Sequence, residues 1–112
     1  MSQNFDTHQN YYFFNKKNSI PIVFIHGVGL DHQMWNNQIN DLDEFSILTY
    51  DLLGHGKTPC DKEKLSLKDF SDQLERLLSY LKIDKINLVG FSLGSLIALN
   101  FSSHFQNKVE KL

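Results

Sequence analysis

The sequence predicts an α/β fold, a mostly parallel sheet with helices on both faces. Three observations predict it. Short apolar runs alternate with longer segments of helical periodicity, in the order β-β-α-β-α-β-α. The run Ile22-Val23-Phe24-Ile25 shows no polar alternation, as expected of a strand covered on both faces. Three of the strands are each followed by a loop bearing glycine, and in an open parallel sheet ligands bind at the carboxyl ends of the strands. That convergence is a site hypothesis in itself.

The elements follow in order. An aromatic run at 10–14, a turn at 16–19 and the apolar run 20–25 read as two strands joined by a hairpin. His26-Gly27-Val28-Gly29 breaks the second strand. Asp31 can cap a helix running to about residue 42, and 45–50 is a strand closed by the loop 51–56. Ser66 with Asp69 resembles a capping box, and Leu67, Phe70, Leu74, Leu77, Leu78 and Leu81 form one apolar stripe. Asp72, Glu75, Arg76 and Lys82 form the solvated face of that helix. A strand at 86–89, a tight turn at 90–94 and a mostly apolar helix at 95–105 complete the pattern. There is no internal repeat, low-complexity segment or linker, so residues 1–112 read as part of one domain.

Composition narrows the function classes. With 41% hydrophobic and 12% aromatic residues, the 112-residue chain is of ordinary globular composition. Eleven basic against thirteen acidic side chains leave a net charge of −2 without a long single-sign run, so neither nucleic acid nor an anionic membrane is expected as partner. The start of the chain lacks a signal-peptide pattern, no apolar run approaches the roughly 20 residues that span a bilayer, and the single Cys60 cannot form an internal disulfide. A cytoplasmic protein is expected. Nothing fixes its oligomeric state.

Gly90-Phe91-Ser92-Leu93-Gly94 fits G-x-S-x-G, in which the serine occupies a strained strand-to-helix turn. The turn exposes the serine hydroxyl. It also places Ser92 at a helix N-terminus, where unpaired N–H groups, that of Leu93 among them, favour negative charge on a substrate oxygen.

Three motifs together resemble the α/β-hydrolase superfamily, in its branch of small esterases, enol-lactonases and carbon-carbon bond hydrolases. Phe24-Ile25-His26-Gly27-Val28-Gly29 with Trp35 resembles the oxyanion segment, Tyr50-Asp51-Leu52-Leu53-Gly54-His55-Gly56 the next loop, and Val89-Gly90-Phe91-Ser92-Leu93-Gly94 the nucleophile elbow. They stand in family order across nearly the whole chain. The resemblance implies strands 1–5 and helices A–C of an incomplete α/β-hydrolase fold. It also implies a Ser92 nucleophile, with the N–H groups of Val28 and Leu93 as oxyanion donors. His26, Gly27, Gly29, Trp35 and Phe91 would then border the substrate pocket. The expected chemistry is hydrolysis of carboxyl ester, lactone or related acyl bonds of a small molecule, with no metal and no organic cofactor.

Other readings fit less well. Gly56-Lys57-Thr58 suggests a phosphate-binding loop, but the glycine required five positions earlier is Asp51. Gly27 and Gly29 lack the third glycine of a dinucleotide fingerprint, since position 32 is His. None of the five histidines forms an H-x-x-x-H pair. His26 and His55 are expected to bond loop backbone, His8, His32 and His104 to be ordinary surface or helix residues, and Cys60 to be a bystander.

A serine hydroxyl needs a base, and the base an acid, in the chain order Ser, Asp or Glu, His. After Ser92 come only His104 and Glu110, in reversed order. The acid and histidine of the triad are therefore expected beyond Leu112, together with the cap segment and later strands, and 108–112 reads as the approach to another strand. Strand 86–89 is expected to be left as an apolar edge, favouring association. The alternatives are a non-catalytic small-molecule binding protein of the same fold, an inactive fragment, or a complete small interaction protein.

Overall fold

The computed structural model describes residues 4–112. Five strands, β1 (Tyr12–Asn15), β2 (Ile22–Ile25), β3 (Ile47–Tyr50), β4 (Ile86–Gly90) and β5 (Val109–Lys111), form one sheet in the order β1-β3-β2-β4-β5. All neighbours are parallel except β1 and β3. The unbroken apolar run of β2 takes the centre, where Val23, Phe24 and Ile25 are all buried.

The hairpin expected between the first two strands does not form. β1 pairs with β3, Tyr12 opposite Tyr50 and Phe14 opposite Leu48. The 16–19 segment is a crossing strap, not a tight turn. Lys17 N donates to Ser46 Oγ (2.7 Å) and Ser46 N to Ser19 Oγ (2.9 Å), so the chain passes over the start of β3 to reach β2 beyond it.

Successive side chains of a strand point to opposite faces, and both faces are covered. On one, Val23, Ile25, Leu48, Tyr50, Ile86 and Leu88 pack against α2 (Leu67–Leu81) and α3 (Leu93–His104). On the other, Phe24 and Ile47 pack against Trp35, Met34, Ile39 and Leu42. That second cover was expected as one helix over 31–42. It is a 3-10 turn, His32–Trp35, followed by α1 (Asn36–Asp41). Asp31 does cap it, accepting from Gln33 N, while His32 is pinned elsewhere and holds the first turn tight.

The capping box of α2 forms as expected: the Ser66 hydroxyl accepts from Asp69 N, and the Asp69 carboxylate accepts from Ser66 N. The bond from Ser66 N and the ammonium of Lys62 hold the Asp69 carboxyl down at about 2. Of the predicted stripe, Phe70, Leu74, Leu77 and Leu78 are buried, while Leu67 in the first turn is exposed.

β4 is not an open edge. β5 pairs alongside it, Ile86 opposite Val109. The outermost strand is thus three residues long, with Glu110 and Lys111 exposed, features that discourage edge pairing. Exposed apolar side chains are found on α3, where Leu96 and Leu99 are 52% and 57% exposed. Among the described residues, no helix is long and apolar enough to cross a membrane.

Candidate functional site

Ser92 stands between β4 and α3 with φ 56° and ψ −118°, backbone angles that L residues with side chains seldom adopt. Close packing on both sides over-determines this strain. A Cβ on Gly90 would lie 2.3 Å from the carbonyl oxygen of Gly94, and one on Gly94 would lie 2.1 Å from that of Ile25. The helix therefore begins directly against the ends of β2 and β4 because both glycines lack a side chain. Phe91 N extends the β2–β4 ladder by donating to Ile25 O (3.1 Å). The chain must then reverse within one residue, and that residue is Ser92. Its side chain caps nothing, and the residue is exposed. Leu93 is the first residue of α3, so its N–H has no intrahelical acceptor.

The loop after β2 meets this turn. Gly27 is buried, and a Cβ there would touch the Phe91 ring at 3.1 Å. Leu30 N donates to Gly27 O (3.2 Å), closing a turn in which Gly29 supplies φ 77°. Val28 is 67% exposed and Phe91 51%. No acceptor for the Val28 N–H is present among the described residues.

His26 is fully buried between loops. Leu52 N donates to its Nε2 (3.0 Å), so that nitrogen is unprotonated; the proton sits on Nδ1, which donates to Gly27 O (2.8 Å). Burial lowers its pKa, outweighing the Gly27 carbonyl, which favours the charged form. His55, its ring 5.2 Å from that of His26, places Nδ1 3.0 Å from Leu53 O. Both histidines thus bond loop backbone, as expected.

Sequence reasoning named the loop after β3 as a motif but gave Asp51 no role in it. Asp51 is fully buried. Its Oδ1 accepts from His32 N (2.8 Å) and His32 Nδ1 (2.7 Å), and its Oδ2 from Lys57 N (2.9 Å). His32 is therefore not an ordinary surface residue: its side chain is only 14% exposed. Gln73 is buried on α2, donating to Asn10 Oδ1 and Asp51 O and accepting from Leu53 N. Its signal was in the sequence, since position 73 lies three residues after Phe70 and four before Leu77, on the apolar stripe itself.

Of the other expected site residues, Trp35 is buried with its ring 4.8 Å from that of Phe24. His104 Nδ1 bonds Asn100 O at the far end of α3. Lys57, the lysine of the rejected phosphate-loop pattern, lies over the Tyr11 ring at 4.7 Å. Asp31, His32 and Asp51 bring one potential metal-ligand atom each within 4.8 Å of one another. All three are already engaged in the loop bonds described above. A concavity of about 510 Å3 lined by Asn10, Leu53, Cys60, Lys62, Gln73 and Arg76 contains none of the residues around Ser92.

A family model described as alpha/beta hydrolase fold matches residues 20–112. The chain belongs to the α/β-hydrolase fold family. An uncharacterised protein of Mycobacterium tuberculosis is 34% identical over 92 residues, 81% of this chain and 27% of that protein. Two relatives from Acinetobacter baylyi carry activities in their names. A 3-oxoadipate enol-lactonase is 34% identical over 84 residues (74% of this chain, 31% of the enzyme). An (E)-2-((N-methylformamido)methylene)succinate hydrolase is 32% identical over 92 residues (81% and 35%). Among solved structures, an enol-lactonase from Burkholderia xenovorans superposes with a TM-score of 0.86 at 27% identity, over 90% of this chain and 40% of that one. The chain thus spans about a quarter to a third of the length of these curated relatives, and it matches this α/β-hydrolase family as an N-terminal portion.

Proposed function

We propose that this chain carries the nucleophile-bearing part of a serine hydrolase that cleaves carboxyl ester, lactone or related acyl bonds of a small molecule. The observation that carries the reading is the backbone of Ser92, strained at a strand-to-helix turn in an exposed residue whose side chain caps nothing. Strain of about 1–3 kcal/mol at a single residue persists only where surrounding structure enforces it, and such residues cluster at reactive sites. In the proposed reaction the Ser92 hydroxyl oxygen attacks the acyl carbonyl. The N–H groups of Val28 and Leu93 receive the oxyanion, the alcohol or enolate leaves, and water releases the acyl group. The hydroxyl proton needs a base and the base an acid; in this reading both belong to a full-length parent, and the 112 residues alone are nearly inactive. No metal or organic cofactor enters the mechanism, and the proposed setting is the cytoplasm.

The enol-lactonase and succinate-derivative hydrolase among the relatives favour acyl substrates. A second reading, a non-catalytic binding protein of this fold, is favoured by one observation: no side chain among the described residues bonds the Ser92 hydroxyl. Labelling with a fluorophosphonate separates the two. Adduct formation that disappears in Ser92→Ala supports the hydrolase, whereas the absence of any adduct, on the chain or on a longer parent, leaves binding.

A further inference from the structure

We infer that Asp51 and His32 are positioning residues that fix the Gly27–Val28 peptide from the neighbouring loop. The inference rests on the proposed role of the Val28 N–H as an oxyanion donor. A peptide is planar, and its C=O and N–H point in opposite directions. Whatever holds the Gly27 carbonyl therefore aims the Val28 N–H. Two donors hold it, His26 Nδ1 at 2.8 Å and Leu30 N at 3.2 Å. The second is the closing bond of the 27–30 turn, so it survives only if the chain just beyond the turn is anchored.

The anchor is Asp51. Its Oδ1 takes both the backbone N–H and the ring Nδ1–H of His32, two residues past Leu30. Its Oδ2 takes Lys57 N at the far end of the loop after β3. One buried carboxylate thus ties the two glycine loops together. Gly56 is shaped to this arrangement: a Cβ there would fall 2.3 Å from Asp51 Oδ2, so any side chain would evict the carboxylate. Tyr11 closes the outer side. Its ring lies 4.9 Å from that of His32, and its N–H donates to Thr58 Oγ1 (2.9 Å).

Both oxygens of Asp51 are acceptors for N–H groups, which a carboxylate satisfies and an amide does not. Asp51→Asn must turn an NH2 toward Lys57 N or toward His32. His32→Leu removes one donor, whereas His32→Asn offers an amide N–H in place of the ring Nδ1–H.

The test uses the 112-residue chain labelled with 15N. In Asp51→Asn and His32→Leu, the Val28 and Leu30 amide resonances are expected to shift. Exchange of the Leu30 amide should speed by about tenfold or more, while the Leu74 and Leu77 amides in α2 keep their protection. His32→Asn should recover most of the Leu30 protection lost in His32→Leu. In a longer parent that supplies the base and acid, the maximal rate of Ser92 fluorophosphonylation should fall by about tenfold in Asp51→Asn, with little change in the half-saturating concentration, as for loss of a transition-state donor. Unchanged Val28 and Leu30 signals in both variants would overturn the inference, as would equal loss of protection throughout α2. If neither the wild-type chain nor a longer parent takes label while Val28 and Leu30 still respond, the clamp stands and the hydrolase reading fails.

Discussion

A methyl group on Gly94 would stand 2.1 Å from the carbonyl oxygen of Ile25. Backbone meets backbone there, and neither side can yield without lifting α3 off the sheet. Gly94→Ala is therefore expected to cost about 2 kcal/mol or more by overpacking, seen as a lower urea midpoint. Gly27→Ala should cost less, because its nearest neighbour is the edge of the Phe91 ring at 3.1 Å, half of whose residue surface is open to solvent. Equal losses in the two variants would contradict this packing account.

Ser92 is held where glycine is at ease, with φ 56° and ψ −118°. Ser92→Gly should relieve strain and raise stability by about 1 kcal/mol, less the entropy of a freer unfolded chain. The same variant should lose all fluorophosphonate labelling. A clear drop in the urea midpoint would show that Ser92 is not strained.

The alternation of strand and helix, the buried centre at β2, the capping box of α2 and the turn at Ser92 were all legible in the sequence, because each is written in local periodicity or in a short motif. The partner of β1 was not. Adjacency in the chain suggested β2, and only the bonds of Lys17 and Ser19 to Ser46 show the strap crossing over β3. Asp51 and His32 were missed for a related reason. Each is unremarkable in its own segment, and their pairing joins loops nineteen positions apart. Gln73 was visible as the polar member of an apolar stripe, but its three partners come from two other segments.

His26 gives stability a pH dependence of definite sign. Its burial lowers the folded-state pKa below the ordinary value of 6.5, so the unfolded chain takes up the proton first. Its contribution is therefore complete above pH 6.5 and is lost as pH falls through the folded-state value. Protonation of Nε2 would also set it against the Leu52 N–H. Urea titrations between pH 7.5 and 5.5 should show falling stability for the wild type and a shallower fall in His26→Asn. Parallel slopes would mean that other groups set the dependence.

The exposed leucines of α3 should govern association. Leu99 lines one concavity with Val89 and Leu112; the three are 57%, 40% and 60% exposed, Leu96 on the same helix is 52% exposed, and exposed apolar surface of this kind favours contact between molecules. The double variant Leu96→Lys, Leu99→Lys is expected to sediment as a monomer at concentrations where the wild-type chain associates. If association persists unchanged, its origin lies elsewhere, with the β5 edge next to be tested.

The order β1-β3-β2-β4-β5 also dictates when the region around Ser92 can take shape. The strand at the centre, β2, is flanked by partners that lie 25 and 65 positions later in the chain, Ile47 and Asn87 in register with Ile22. Such distant pairings make slow folding steps. During synthesis, the carbonyl of Ile25 waits for a neighbour until β4 has emerged, and nothing before that moment can force Ser92 into its left-handed backbone. The turn at Ser92 is thus a late product of folding: a kinetic intermediate holding only β1, β2 and β3 would have a sheet, a fixed His26 and a closed 27–30 turn, yet no strained serine.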